Sequence, residues 1–572
     1  MQTPSPIQKK GHRIVIIGAV AAGTSAAAKA RRNDENASIV IYEMDRYISY
    51  SGCGLPYYIG GRVAEINALT PRDPDFFLKK YGVEIKIRHR VESIDPSSHT
   101  IRVRNLETDY LFEDTYDTLV IATGSNPIRL PVEGTQLPHV FLLRNPADAV
   151  AIRTFIEEKN PASAAIIGTG FIGLEMADNL SLRGLGITLI EKLPDICPSL
   201  DPDMAVHLEK HLLKKGIRIE SGKTAVRITG SSVLLNDGTE TPADIVISAV
   251  GVRPNVALAK SAGIALGPTG AIAVDERLRT NVPDIYACGD CAENYFTLNG
   301  MPFYRPLGST ANKTGRITGD VITGGDFTHR GVLGTGIFET FGLTVASTGL
   351  SEKLARALGY DVLVAINTKP NRPEYLGGQT MIIKAIADRK THMLLGVQIV
   401  GSDGVDKRLD VFVTAMTARM RIEDLAHLDL AYAPPFSTTK DPVMYTGMIL
   451  ENALDRGRAL IQKDELAERA PDVTILDTRS EAQYAAGHIP NARNVPHEKL
   501  RDTLCELDPK KPVVTYCNKG TTGNAAQNIL LNNGFSEVYN LSGGFSHYAV
   551  QAERIKEQEE RKGDAEAAGA TD

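Results

Sequence analysis

Short β-branched runs alternate with helical patterns along most of this chain, and their order predicts a βαβ organisation. Ile14 to Ile17 reads as a buried strand, runs into Gly18-Ala19-Val20-Ala21-Ala22-Gly23, and opens a helical stretch from Thr24 to Arg32. A second β run, Ser38 to Tyr42, closes on Glu43. Strand, glycine turn, helix, strand and terminal acid form the dinucleotide-binding pattern. The first glycine permits the tight turn, and the helix N-terminus offers N–H groups to a pyrophosphate. Glu43 is placed to accept from a ribose hydroxyl. Val20 stands where the middle glycine is usual, so Gly18, Val20, Ala22 and Gly23 match loosely.

The pattern then returns. Ala164 to Ile167 leads into Gly168-Thr169-Gly170-Phe171-Ile172-Gly173, the helix Leu174 to Arg183, and a strand ending at Ile190-Glu191. Two such fingerprints in one chain point to two dinucleotide sites in one enzyme, FAD in one and a nicotinamide cofactor in the other. Glu191 suits the free 2′-hydroxyl of NADH, while the adjacent Lys192 tolerates a 2′-phosphate; NADH is expected, NADPH is the alternative. Two more strand-to-turn segments fit the scheme, Thr118 to Thr123-Gly124 and Asp284 to Gly289-Asp290.

Composition narrows the class. At 572 residues, 42% hydrophobic and 23% charged, the chain is long enough for several soluble globular domains. A net charge of −6 argues against nucleic acid or an anionic membrane as the main partner. Met1 to Lys10 has no apolar signal core, and no apolar run reaches membrane-spanning length. Six cysteines in so long a chain make no disulfide framework, so a reducing cytoplasm is expected. There a deliberately placed thiol is a catalytic candidate. Cys53 is one: it sits between Gly52 and Gly54 in the loop from Ser49 to Gly61, shortly after Glu43, with no second cysteine nearby. A free cysteine ordinarily packs as a small hydrophobe, but this one follows a dinucleotide unit. Cys288 and Cys291 form a C-x-x-C, yet two ligands make no zinc site and no metal is expected. Cys197 and Cys505 carry no motif and are expected to be structural.

These segments together resemble the FAD-dependent pyridine nucleotide-disulfide oxidoreductases, over roughly residues 12 to 455. The resemblance implies that Thr123-Gly124 passes near the flavin, that Asp290 binds the ribityl and pyrophosphate side of FAD, and that Lys313 and Gly251 line the FAD and NAD(P)H sites. It also implies that the helix opening near Pro306 closes the FAD domain, and that a third unit is a dimerisation domain whose far end completes the active site of a partner in a homodimer. Within the family, a lone cysteine marks the branch containing NADH peroxidases, NADH oxidases and coenzyme A-disulfide reductases. Cys53-Gly-Leu-Pro-Tyr-Tyr-Ile-Gly60 and the late Leu430-Ala-Tyr432-Ala-Pro-Pro435 segment resemble the last of these. There, a tyrosine from each of two C-terminal segments reaches the partner's cysteine; Tyr432 matches one and Tyr375, in altered surroundings, the other. CoA carries several phosphates and needs fixed cations. Arg31 and Arg32 on the first helix, Lys79 and Lys80 after Phe76-Phe77, and Ser49 beside the cysteine loop are the candidates, against the plainer reading of solvated basic faces.

Downstream of Asn452 the composition turns polar. Thr474 to Arg479, then Gly487-His488-Ile489-Pro490-Asn491-Ala492, then Val513 to Gly523 around Cys517 resemble a rhodanese domain. A loop around Cys517 ahead of a helix N-terminus aims N–H groups at its sulfur. Thr522 and Gly523 stand where such loops often end in an arginine, which bears on use of thiosulfate. The expected architecture is α/β throughout: two Rossmann-like domains as in glutathione reductase, an α+β dimerisation domain and a C-terminal α/β rhodanese domain. Residues 1–11 are expected to be flexible, 12–150 with 256–330 to bind FAD, and 151–255 to bind NAD(P)H. Residues 331–455 form the dimerisation domain, 456–470 a linker, 471–552 the rhodanese domain, and 553–572 a charged tail.

The expected activity is NAD(P)H-dependent reduction of CoA persulfide, polysulfide or CoA disulfide through Cys53, with hydrosulfide released and Cys517 handling sulfane sulfur. One alternative is an NADH peroxidase or oxidase cycling through a Cys53 sulfenic acid. Another, of a different class, is a redox-sensing or sulfur-carrier flavoprotein.

Overall fold

The computed structural model describes residues 11–569, with side chains to residue 556. They form two compact units: residues up to 192 with 218–332, and 193–217 with 333 onward. The N-terminal stretch expected to be flexible, Gly11 apart, and the last residues of the expected tail, 570–572, lie outside the described residues.

The first unit is built on two parallel five-stranded sheets. In one, Arg13–Ile17 is central, flanked by Ser38–Tyr42 and Thr118–Ile121, with Glu84–Lys86 and Ile285–Ala287 at the edges. In the other, Ser163–Ile167 is central between Gly186–Glu191 and Ile245–Ser248, with Arg218–Ser221 and Val140–Phe141 outermost. Their central strands are continuous apolar runs because helices and loops cover both faces, and Ile14, Val15, Ile16, Ala164, Ala165 and Ile166 are fully buried. The helix Ala22–Asn33 is alanine-rich for a packing reason. Helix Gly308–Val321 lies so close that a Cβ on Gly315 would sit 2.2 Å from the Ala22 carbonyl oxygen.

The second unit holds an antiparallel sheet ordered Gly336–Thr340, Leu343–Gly349, Leu394–Gly401, Thr380–Asp388, Val362–Pro370. Residues 193–217, within the stretch expected to bind NAD(P)H, group with this unit. Their helix Pro202–Lys214 is anchored by charge: Lys384, 1% exposed, donates to Asp203 at 2.7 Å and lies 3.2 Å from Asp201 and 2.9 Å from Glu352. The side-chain amide of Gln398 also donates to Asp201, at 2.7 Å.

The same unit contains a parallel sheet ordered Leu460–Ile461, Val538–Leu541, Val513–Tyr516, Thr474–Asp477, Arg493–Asn494. Its first strand, and the helix Lys463–Arg469, lie in the stretch expected as a linker. That expectation is corrected: residues 460–469 are part of the C-terminal domain. Helix Gly544–Gly569 runs on into the expected charged tail, where Glu553 and Arg554 pair with Lys210 and Asp195. No helix among the described residues is long and apolar enough to cross a membrane.

Candidate functional site

The two glycine turns have the same construction. Gly18 has φ +106° and Gly168 φ +98°, and a Cβ on either would press within 2.3 Å or 2.5 Å of the Ala122 or Ala249 carbonyl oxygen. A Cβ on Gly23 or Gly173 would come within 1.9 Å or 2.0 Å of the first glycine's own carbonyl oxygen. The middle position differs, since a Cβ on Gly170 meets nothing within 4 Å. Val20 in the first turn therefore occupies a place that packing does not reserve for glycine. Neither helix start carries a side-chain cap. Glu43, held above the ordinary carboxylate range by burial, accepts from the Ala19 and Asp45 amides at 2.8 and 2.9 Å. Glu191 is buried and accepts from the Thr169 amide and hydroxyl at 2.9 and 2.6 Å.

Crossover turns flank these cradles. Gly124, Gly251 and Gly289 all have positive φ, and Thr123 donates to the Asn255 carbonyl at 2.8 Å. Asp290 accepts from Ser125 at 3.2 Å, and burial raises its carboxyl above the usual range.

Cys53 lies in the single-turn helix Gly52–Gly54, ahead of helix Leu55–Ile59. A Cβ on Gly54 would meet a Leu69 methyl at 2.5 Å, so a larger residue after the cysteine would have to displace that side chain. Ser49, at φ +46°, turns the chain into this loop. Cys53 is exposed and unbridged. Burial of its sulfur raises the thiol, and the charges of Glu175 and Asp290 raise it further. The charges of Asp290 and Glu175 therefore both reach the lone cysteine. Glu175, pushed up to about 7 by burial, accepts from the Tyr57 hydroxyl at 3.1 Å. The sequence reading missed both Glu175 and Tyr57. The available signal was an acid two residues beyond Gly173, and a tyrosine in the segment after Cys53.

Cys517, 7% exposed, sits at the end of strand Val513–Tyr516. The amides of Phe545 and Ser546 donate to the carbonyls of Cys517 and Asn518 at 2.8 and 3.0 Å, wrapping the loop. A Cβ on Gly544 would reach the Cys517 carbonyl oxygen at 2.5 Å, so the wrap depends on glycine there. Arg479 reaches Asn518 Oδ1 at 3.3 Å, but its guanidinium is already paired with the buried Asp477 at 2.5 Å.

Residues 12–309 match the family described as pyridine nucleotide-disulphide oxidoreductase. The chain belongs to that family. Residues 338–442 match its dimerisation domain, and residues 462–551 match the rhodanese-like domain. The oxidoreductase is 36% identical over 451 residues to the NAD(P)H sulfur oxidoreductase (CoA-dependent) of Pyrococcus furiosus, covering 77% of this chain and 99% of that protein. Among solved structures, reduced Bacillus anthracis CoADR-RHD superposes with a TM-score of 0.93 at 35% identity, covering 94% of this chain and 98% of that one. An NAD-dependent persulfide reductase from A. fulgidus gives a TM-score of 0.88 at 37% identity, covering 94% and 100%.

Several family-derived expectations meet the structure unevenly. Arg31 is corrected: it is 9% exposed, and its guanidinium donates to the carbonyls of Tyr81, Asp34, Glu35, Ala37 and Gly82, leaving it as a brace between segments rather than a CoA ligand. Arg32 is exposed at the end of the same helix. Lys79 and Lys80 are exposed on helix Pro74–Tyr81, the first 3.6 Å from Asp75, the second over the Phe76 ring at 5.2 Å. Phe171 faces the Arg305 guanidinium at 5.3 Å, Ile172 is exposed, and Lys313 is exposed on helix Gly308–Val321. Tyr375 and Tyr432 are 76% and 48% exposed. Tyr432 lines a cavity of about 680 Å³ together with Arg372, Lys407, Arg408 and Phe436. Cys197, Cys288 and Cys291 are buried and unbridged. Cys505 is exposed and unbridged on helix His497–Glu506.

Proposed function

We propose that this oxidoreductase uses NAD(P)H to reduce CoA persulfide or polysulfide, and CoA disulfide, through Cys53, releasing hydrosulfide, while Cys517 handles sulfane sulfur. The observation that carries this reading is a solitary exposed thiol within reach of the charges of Asp290 and Glu175, in a chain that also carries a wrapped rhodanese cysteine. Relatives named for CoA-dependent sulfur reduction and for persulfide reduction support it.

The first turn fits FAD. Gly18 and Gly23 leave no room for a Cβ, and Glu43 is fixed by two amides, so Gly18, Val20, Ala22, Gly23, Glu43, Thr123, Gly124, Asp290 and Lys313 would hold it. The second turn fits NAD(P)H through Gly168, Gly170, Phe171, Ile172, Gly173 and Gly251. Glu191, oriented by Thr169, favours NADH by presenting a carboxylate to the ribose. When bound, the flavin supplies the electron pair that the nicotinamide delivers.

The chain's own chemistry is thiol exchange. The Cys53 thiolate attacks the inner sulfur of CoA–S–SH, forms the Cys53–S–S–CoA disulfide, and expels HS⁻ with the electron pair of the broken bond. Reduction of that disulfide by two electrons and one proton returns the Cys53 thiolate and frees CoA–SH. Glu175, poised near neutrality and bonded to Tyr57, holds a proton beside the sulfur without an added charge. Arg32, Ser49, Lys79 and Lys80 are the remaining candidates for the phosphates of CoA. The exposure of Tyr375 and Tyr432 supports a homodimer in which each protomer's tyrosines reach its partner's Cys53. A cytoplasmic setting agrees with six unbridged cysteines.

Replacing Cys53 by Ser should abolish hydrosulfide release from CoA persulfide while the protein keeps its yellow cofactor. Retained turnover removes Cys53 from the mechanism, and peroxide-dependent NADH loss without CoA would transfer the enzyme to the peroxidase reading.

A further inference from the structure

Strand Val362–Pro370 is an edge strand, yet its outer side is not left open. The Ile366 amide donates to Ser542 Oγ at 2.9 Å, and Gln462 Nε2 donates to the Val364 carbonyl at 2.9 Å. Both partners belong to the rhodanese-like domain, so the strand is clamped to it. Three residues on, Lys369 Nζ donates to Thr521 Oγ1 at 3.0 Å, at the start of the helix that follows the Cys517 loop. The same ammonium lies 3.9 Å from the centre of the Tyr445 ring, and Lys440 faces that ring from 5.9 Å.

The charges around this lysine are one-sided. Burial and the neighbouring Lys519 push the Lys369 ammonium down, Cys517 acts in the opposite sense, and Lys440 adds to the lowering. No carboxylate is among the charges that act on Lys369. Within the rhodanese-like domain Arg479 is neutralised by Asp477, and Lys519 of the loop itself is exposed to solvent. Thr522 and Gly523 bring no charge to the loop. A half-buried cation with no anion of its own, hydrogen-bonded at the start of the helix that follows the Cys517 loop, suits an anionic ligand.

We propose that Lys369 is the counter-cation of the Cys517 loop, supplied from the dimerisation sheet, and that it binds the anionic sulfur of a thiol persulfide at that loop. The inference rests on Cys517 being the sulfane-sulfur acceptor. In the transfer, Cys517 Sγ bonds to the outer sulfur of R–S–SH and the donor's S–S bond breaks. R–S⁻ leaves with the electron pair, and the transferred sulfhydryl loses its proton to solvent, with no net oxidation. Lys369 then faces Cys517–S–S⁻. The donor class is a persulfide of a thiol.

The full-length enzyme tests this by alkylation of Cys517 with iodoacetate and with iodoacetamide, followed by peptide mass spectrometry. The anionic reagent reads the local charge and the neutral one controls for access. Lys369→Met and Lys369→Gln should each lower the iodoacetate-to-iodoacetamide rate ratio by about fivefold to tenfold, the order of one partly screened charge, and Lys369→Arg should restore most of it. An unchanged ratio in the Met and Gln variants, or an equal change with both reagents, overturns the proposal. Sulfur transfer from glutathione persulfide to cyanide separates the two readings. If Cys517→Ser keeps that transfer, the role of Cys517 falls, whereas loss in Cys517→Ser beside an unchanged alkylation ratio refutes only the role of Lys369.

Discussion

Replacing Glu175 by Gln removes a charge from the Cys53 site while keeping the shape of the side chain and an acceptor for Tyr57. Burial lifts this carboxyl from its ordinary value of 4.5 to about 7. That displacement corresponds to about 3 kcal/mol against the ionised form in the folded protein. The stabilising contribution of the protonated group is fully present below pH 4.5 and is lost as pH rises through about 7. Ionised Glu175 also raises the Cys53 thiol, so titration of the acid feeds directly into thiol reactivity. In the Gln variant that repulsion is gone at every pH, and alkylation of Cys53 between pH 7 and 8 should accelerate by about threefold to tenfold. The assay is iodoacetamide labelling as a function of pH, with the Cys53 peptide followed by mass spectrometry. Wild type should show an inflection near neutrality that the variant lacks. An identical profile in the two proteins, or slower labelling in the variant, would refute the coupling.

Two further outcomes concern residues outside the chemistry. Lys384→Met leaves Asp201, Asp203 and Glu352 without their shared cation and should lower stability by about 3–5 kcal/mol; thermal unfolding measures it, and an unchanged midpoint contradicts the buried network. Arg31→Met strips a guanidinium from five carbonyl oxygens and should cost about 2–4 kcal/mol of stability. CoA affinity by calorimetry should stay within about twofold, and a loss of tenfold or more would make Arg31 a ligand after all.

What could be read from the chain was local. Both glycine turns, their closing acids and the Cys53 loop announce themselves within a few residues, because each is a backbone demand met by adjacent positions. What escaped depends on contacts across the fold. Arg31 looks like any exposed basic residue at a helix end until Tyr81 and Gly82, some fifty positions later, supply carbonyls to hold it. Glu175 sits on an ordinary helical face, and its elevated pKa is created by burial that no periodicity records. The strand Leu460–Ile461 is too short to show alternation, so the beginning of the rhodanese-like sheet passed for a linker. Helix Pro202–Lys214 lies between two strands of the second dinucleotide sheet in sequence, and only the partners of Asp201 and Asp203 reveal the unit it joins.

That last helix limits how the enzyme can be re-engineered. A nicotinamide lobe transplanted from a relative as one uninterrupted cassette would carry away Asp201 and Asp203, and Lys384 would then meet whatever the donor protein happens to place there. Chimeras intended to change coenzyme preference should therefore be spliced on both sides of residues 193–217, with the native insert retained.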